Sequence, residues 1–157
     1  MLQTPKPLRR STRCRHCGAD ALKLSTIPYT VEVKYEGRVY EVHVPRLRLA
    51  VCGVCGAKSF TSEVDEQVND ALRQEVKLLT PEQIRTAIHD LGLSQKEFAA
   101  VLGVAEATVS RWCTGSVIQS KAMDNLMRAY FASPSTRDTL ARIASGTDIE
   151  IGATAVH

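Results

Sequence analysis

The 157-residue chain has ordinary globular proportions of apolar (44%) and charged (24%) residues, so it can fold and need not be disordered, and its length suits one large domain or two small ones. Aromatic residues are few, which predicts small cores in need of reinforcement. No apolar run approaches the ~20 residues of a membrane span, and the basic start MLQTPKPLRRSTR has no apolar segment behind it, so no membrane anchor, no secretory signal and a reducing cytoplasm are expected.

The net charge of +3 is unevenly spread: +7 over residues 1–60, −3 over 61–79 and −1 over 80–157. Such asymmetry predicts at least two units with different surfaces. Residues 1–12 form a basic tail. The first cysteine pair follows in CRHCG (Cys14 to Gly18). TVEVKYEGRVYEVHV then alternates apolar and polar residues on both sides of Glu36-Gly37, the pattern of a β-hairpin with a short turn. RLRLAVC (Arg46 to Cys52) reads as a third strand that leads into the second pair, CGVCG (Cys52 to Gly56).

A C-x2-C pair on a tight turn aims two sulfurs at one point, and two such pairs supply the four ligands of a tetrahedral ion. The glycine after each second cysteine suits a backbone that takes positive φ while its N–H groups face the sulfurs. A reducing compartment disfavours a disulfide, and strands between two matched pairs disfavour a redox dithiol. Cys14, Cys17, Cys52 and Cys55 are therefore expected to hold one structural Zn2+ per chain in a zinc ribbon. The repeated CxxCG also resembles the knuckles of rubredoxin, which keeps iron as an alternative. Four thiolates leave no open position for water, so a catalytic metal is not expected. His16 reads as a solvated residue and Cys113 as an incidental thiol.

SEVDEQVNDALRQEVKLL (residues 62–79) places Val64, Val68, Leu72, Val76 and Leu79 near one helical stripe and predicts an amphipathic connecting helix. Thr80-Pro81-Glu82-Gln83 then opens a helix through Leu91, with a capping residue, proline at the first position and Gln three on. Ser94 to Glu97 is a second capping box, for a short helix that Gly103 ends. A third helix spans 106–114 and closes at Gly115; a fourth runs from about Gln119 to Phe131; a fifth follows Ser133-Pro134 to about Ala144. Two short helices joined by a glycine-containing turn are a helix-turn-helix. Ile84, Ile88, Leu91, Phe98, Leu102, Val104, Val109 and Trp112 are expected to form its core, and the fourth helix places Met123, Leu126, Met127 and Tyr130 on one face.

The string LSQKEFAAVLGVAEATVSRWCTG (Leu93 to Gly115) resembles the Cro/Xre-type helix-turn-helix of repressors: LSQ at the second helix, an LGV turn, then TVSRW on the recognition helix. Joined to CxxCG…VCxxCG upstream, residues 13–132 resemble the MqsA family of antitoxins, also described as YgiT-type zinc-finger/helix-turn-helix proteins. The resemblance implies a type II antitoxin. Its zinc domain would contact a cognate RNase toxin, and its other domain would dimerise and repress the operon on a palindromic operator. It also implies that Cys14, Cys17, Cys52 and Cys55 are zinc ligands and that Arg111 reads a base. The chain departs from the family at Ala107, where an asparagine suited to adenine is usual, and at Cys113, where a glutamate is common. The tail GTDIEIGATAVH has no counterpart; it reads as a frayed terminus, with a short strand at Ile149/Ile151 as the alternative.

The fold expected is α+β in two domains. A zinc ribbon occupies 1–61, a connecting helix 62–79, an all-α helix-turn-helix domain 80–132, and a C-terminal helix and tail 133–157. On DNA the second helix straddles the backbone while the third enters the major groove. Arg111 is the candidate for a bidentate contact to guanine, with Glu106, Thr108 and Ser110 facing the groove beside it. Gln95, Lys96 and Lys121 lie at helix N-termini, where phosphate contacts arise. Five basic residues face five acidic ones between Thr80 and Tyr130, so a single domain should bind weakly and a homodimer is expected. No Ser/His/Asp set is visible and no enzyme is expected. Two alternatives stay open: a stand-alone zinc-ribbon regulator without a toxin, and a rubredoxin-like electron carrier, which would have no use for TVSRW.

Overall fold

The computed structural model describes residues 12–147 and Ile149, and is α+β as expected. Most of the basic tail (residues 1–11) and most of the C-terminal segment, with Ile151, lie outside the described residues. Two compact units partition the chain, Met1–Leu72 and Arg73–His157. Among the described residues no helix is long and apolar enough to cross a membrane.

The first unit is built on a long antiparallel hairpin, β1 (Leu22–Tyr35) and β2 (Arg38–Cys52), with a two-residue strand β3 (Lys58–Ser59) on the far side of β2. Glu36 and Gly37 both take positive φ (48° and 79°), the twist a two-residue hairpin turn needs to match its strands. The segment expected as a third strand, Arg46 to Cys52, is instead the continuation of β2, and the third strand follows the second cysteine pair. The apparent break at Pro45 is a β-bulge. Ile27 pairs with Leu47 and Tyr29 with Val44, so Pro45 and Arg46 together oppose Pro28. Two prolines that cannot donate to the ladder thus meet at its one irregularity. The extra residue also shifts the parity of the inward face, from Val42 and Val44 to Leu47 and Leu49, all of them buried. Without that shift the apolar residues after Pro45 would face solvent.

Helix α1 (Ser62–Glu75) packs Val64 and Leu72 inward. Its Gln67 side chain acts as a surrogate strand residue at Arg48: Oε1 accepts from the Arg48 N–H and Nε2 donates to the Arg48 carbonyl, both at 2.8 Å. The helix stops at Glu75 and not at Leu79. Lys77 enters the left-handed region (φ 54°), and the Leu78 N–H turns back to the Arg73 carbonyl at 2.9 Å. That return closes the helix and buries Leu78, a residue outside the predicted stripe.

The second unit comprises α2 (Pro81–Asp90), α3 (Gln95–Leu102), α4 (Glu106–Thr114), α5 (Lys121–Ala132) and α6 (Pro134–Ala144). Both predicted capping boxes are present, Thr80 with Gln83 and Ser94 with Glu97. The Ser94 N–H and hydroxyl hold the Glu97 carboxyl below the usual carboxylate range. Gly103 and Gly115 close α3 and α4 in the left-handed region. The fourth predicted helix starts two residues late because Ser120, and not Gln119, supplies the cap. Ile84, Ile88, Phe98, Leu102, Val109 and Trp112 are buried in one cluster as expected, joined by Met127 and Tyr130 from α5, whereas Leu91 and Val104 are only partly buried against it. Cys113 belongs to the same cluster. Burial pushes its thiol up, against the pull of Arg85, so it is an inert core residue.

Candidate metal centre and nucleic-acid interface

The two cysteine turns are built alike. In the first, the Gly18 N–H donates to the Cys14 carbonyl (2.9 Å) and the Cys14 N–H to the Ala19 carbonyl (2.7 Å). In the second, Gly56 donates to Cys52 and Cys52 to Ala57, each at 2.9 Å. Gly18 and Gly56 take φ of 76° and 72°, the conformation the sequence demanded of them. One further bond, Gly53 N–H to the Ala21 carbonyl at 2.9 Å, ties the second turn to the start of β1. Arg13 Nε braces the first turn by donating to the Gly18 carbonyl at 3.0 Å. Because β1 starts and β2 ends at the Leu22–Cys52 pair, the hairpin brings together cysteines some forty residues apart in sequence.

The four sulfurs lie within 4.8 Å of one another. Across the two turns, Cys14 to Cys55 is 3.7 Å and Cys17 to Cys52 is 3.6 Å. A tetrahedron of 2.3 Å zinc–sulfur bonds has edges of about 3.8 Å, whereas a disulfide needs about 2 Å. The donor set and its spacing define a single structural zinc site. The first cysteine of each pair is buried and the second exposed, so one side of the centre faces solvent. His16 is exposed and outside the cluster.

The same backbone that shapes the turns tunes the thiols. N–H groups of Cys55 and Val54 bring Cys52 down to about 6, and the Cys17 N–H lowers Cys14. The Ala57 N–H favours the Cys55 thiolate too, but burial and the three neighbouring sulfurs outweigh it and push Cys55 up to about 12. Four thiolates cannot coexist at this spacing without a cation. A protonated sulfur cannot ligate, so metal uptake should release protons at neutral pH, Cys55 foremost, and should strengthen as pH rises. Titrating zinc into the chain by calorimetry in buffers of different ionisation enthalpy checks both; uptake indifferent to pH would contradict them.

A cleft of ≈ 630 Å³ opens beside the first cysteine turn. Arg13, Arg15, His16 and Lys58 line it together with Leu24 and Phe60, two of the more exposed large apolar side chains.

In the second unit, α4 buries Val109, Trp112 and Cys113 and turns Glu106, Ala107, Arg111 and Thr114 outward. Thr108 and Ser110 are half-buried at the margins of that face. Among the described residues no hydrogen bond or ion pair engages the Arg111 guanidinium. Its carbonyl, by contrast, accepts from the Thr114 and Ser116 hydroxyls at 3.2 and 3.4 Å. Glu106 opens α4, whose capping residue Ala105 offers no side-chain bond. At the start of α3, Lys96 is exposed and Gln95 half-buried. Lys121 is placed differently: its Nζ donates to the Val76 and Lys77 carbonyls, each at 3.3 Å.

Sequence reasoning missed the polar network around Asp124. That carboxylate, fully buried, accepts from the Leu79 N–H (2.7 Å), Gln119 Nε2 (3.1 Å) and Arg128 Nε (2.7 Å). Arg128 also reaches the Lys77 carbonyl, and Arg85 donates to that of Cys113. Arg85, Lys121 and Arg128 are thus engaged by the chain itself, while Lys96 and Arg111 project freely. The only signal in the sequence was an Asp inside an otherwise apolar helical stripe.

A helix-turn-helix family model matches residues 83–137, from α2 into the first turn of α6. The second unit therefore carries a DNA-binding helix-turn-helix domain of the Cro/Xre type, with α3 and α4 as its two central helices. A comparison with curated proteins finds no match.

Proposed function

We propose that the chain is a transcriptional repressor that reads a palindromic operator as a homodimer, and that it serves as the antitoxin of a type II toxin-antitoxin pair. The observation that carries the DNA-reading half is Arg111, an unengaged guanidinium on the exposed face of α4 inside the matched helix-turn-helix. Its planar fork suits the O6 and N7 acceptors of guanine in the major groove. Glu106, Thr108 and Ser110 flank it, and Gln95 and Lys96 at the start of α3 lie where a phosphate can be met. Ala107 can touch at most a thymine methyl, so the operator differs from one read by asparagine at that place. Of the five basic residues between Thr80 and Tyr130, Lys96 and Arg111 are the two left unengaged, so phosphate neutralisation by this segment is small, which supports a dimer spanning two half-sites about 34 Å apart.

The antitoxin half rests on the order of the parts, a four-thiolate ribbon before a Cro/Xre-type helix-turn-helix, as in MqsA-type proteins. The +7 of residues 1–60 and the basic cleft around Leu24 and Phe60 fit an acidic partner surface. No catalytic role is proposed, and cytoplasmic thiols would remain reduced for the metal. Arg111→Ala should weaken binding to a duplex selected by the wild-type chain from a random library by ~1–3 kcal/mol and relax the preference at one base pair per half-site. Fluorescence anisotropy on single-base variants measures both, and unchanged preference would remove Arg111 from the interface. For the partner, co-expression with the adjacent reading frame decides: rescue from a growth-arresting RNase supports the antitoxin, and a neighbour without toxicity leaves the stand-alone regulator.

A further inference from the structure

Arg73, in the last turn of α1, lies outside both the matched family segment and every motif in the sequence, yet it is among the most buried side chains of the chain, 2% exposed. Its Nη2 donates to the Gly115 carbonyl at 3.1 Å and, more weakly, toward that of Val117 at 3.5 Å. Gly115 is the residue that ends the recognition helix α4, in the left-handed conformation at φ 79°. A Cβ there would crowd Pro81 Cγ at 3.2 Å and touch the Arg73 guanidinium at 3.8 Å, and it would be strained by the positive φ. The loop that Arg73 grips turns back on Arg111: the Val117 N–H and the Ser116 hydroxyl both donate to the Arg111 carbonyl, each at 3.4 Å. One buried cation therefore fixes the loop that fixes the backbone of the outward-pointing arginine.

Resting on the DNA-reading function above, we propose that Arg73 is a positioning residue for operator recognition, setting the C-terminal end of α4 and with it the aim of Arg111. Three physical points support the role. A guanidinium at a helix C-terminus satisfies carbonyls that the helix leaves without partners and complements the negative end of its dipole. A planar fork can address two carbonyls at once, which an ammonium does less well. A buried cation also holds its loop more tightly than an exposed one, because release leaves both charge and carbonyls without compensation. Arg85, donating to the Cys113 carbonyl, braces the neighbouring turn but does not reach the loop after Gly115.

The test uses the full-length, metal-loaded chain and a duplex that the wild type selects from a random library, alongside a scrambled duplex of equal length. The quantity read is the affinity ratio between the two, at several salt concentrations. Arg73→Met, which keeps the stem and removes the fork, should lower that ratio by about tenfold, within the range of one base-reading contact, while the salt slope set by phosphate contacts stays unchanged. Arg73→Lys, which keeps the charge, should recover part of the ratio; it also stands in should the Met variant fail to fold. A folded variant that discriminates like the wild type overturns the proposal. So does an equal loss on both duplexes, or a failure of both variants to fold, either of which makes Arg73 merely structural. A wild-type chain that selects no duplex at all rejects the DNA-reading function instead.

Discussion

Stripping the metal with a chelator, or replacing Cys52 by Ser, is expected to unfold the β1–β2 hairpin while α2 to α6 keep their helical signal. The reason is the size of the ribbon core. Val42, Val44, Leu47, Leu49, Val64 and Leu72 are its buried aliphatic side chains, too few to hold a unit of this length by burial alone. Structural zinc supplies an apparent ~10–16 kcal/mol at neutral pH in small zinc domains, far more than such a core contributes. Cys52 is the most consequential ligand to lose. It ends β2, opposite Leu22, and anchors the second turn through bonds from Gly56 and to Ala57. The helical cluster draws its buried members from residues 84–130 and needs none of the thiolates. Amide chemical-shift dispersion reads the two parts separately; a metal-free chain that keeps the dispersed shifts of Leu22–Cys52 would contradict the expectation.

Phe98→Ala is expected to destabilise the helix-turn-helix unit by ~3–5 kcal/mol in urea unfolding, the usual cost of deleting a fully buried aromatic ring. Phe98 has no exposed surface, stacks on Phe131 (centroids 5.3 Å apart, planes 13°) and meets the edge of Tyr130 at 5.5 Å. In a chain with three Phe in all, this cluster is the largest aromatic contact and joins α3 to α5. A loss of that size is a large fraction of the ~5–15 kcal/mol that holds a typical domain. Phe98→Leu should recover most of it. A cost under about 1.5 kcal/mol for the alanine variant, as for a tolerant or partly exposed site, would mean that α3 is not seated as described.

What the sequence disclosed and what it withheld divide along physical lines. Capping boxes, the Glu36-Gly37 turn and the paired CxxCG turns are written in residues within five positions of one another, so their chemistry is visible without a fold. The bulge was not, because Pro45 ends a strand unless Pro28 happens to lie opposite, and that pairing belongs to the ladder as a whole. The end of α1 was misjudged by the same logic. Val76 and Leu79 continue the stripe on paper, but Lys77 at positive φ redirects the chain and buries Leu78. Asp124 and Arg73 were illegible for a further reason. Each is a charged residue whose burial is tolerated because backbone groups 42 to 45 residues away in sequence satisfy it. In the site itself, the four ligands and the face of α4 were readable from spacing; the groups that hold them in place were not.

Whether four thiolates share one zinc ion is read from X-ray absorption at the zinc edge, on the chain as purified under reducing conditions. A single shell of four sulfurs at ~2.3 Å is expected, with one zinc per chain. A shell that mixes sulfur with nitrogen or oxygen, or a preparation whose metal is iron or absent, would contradict it.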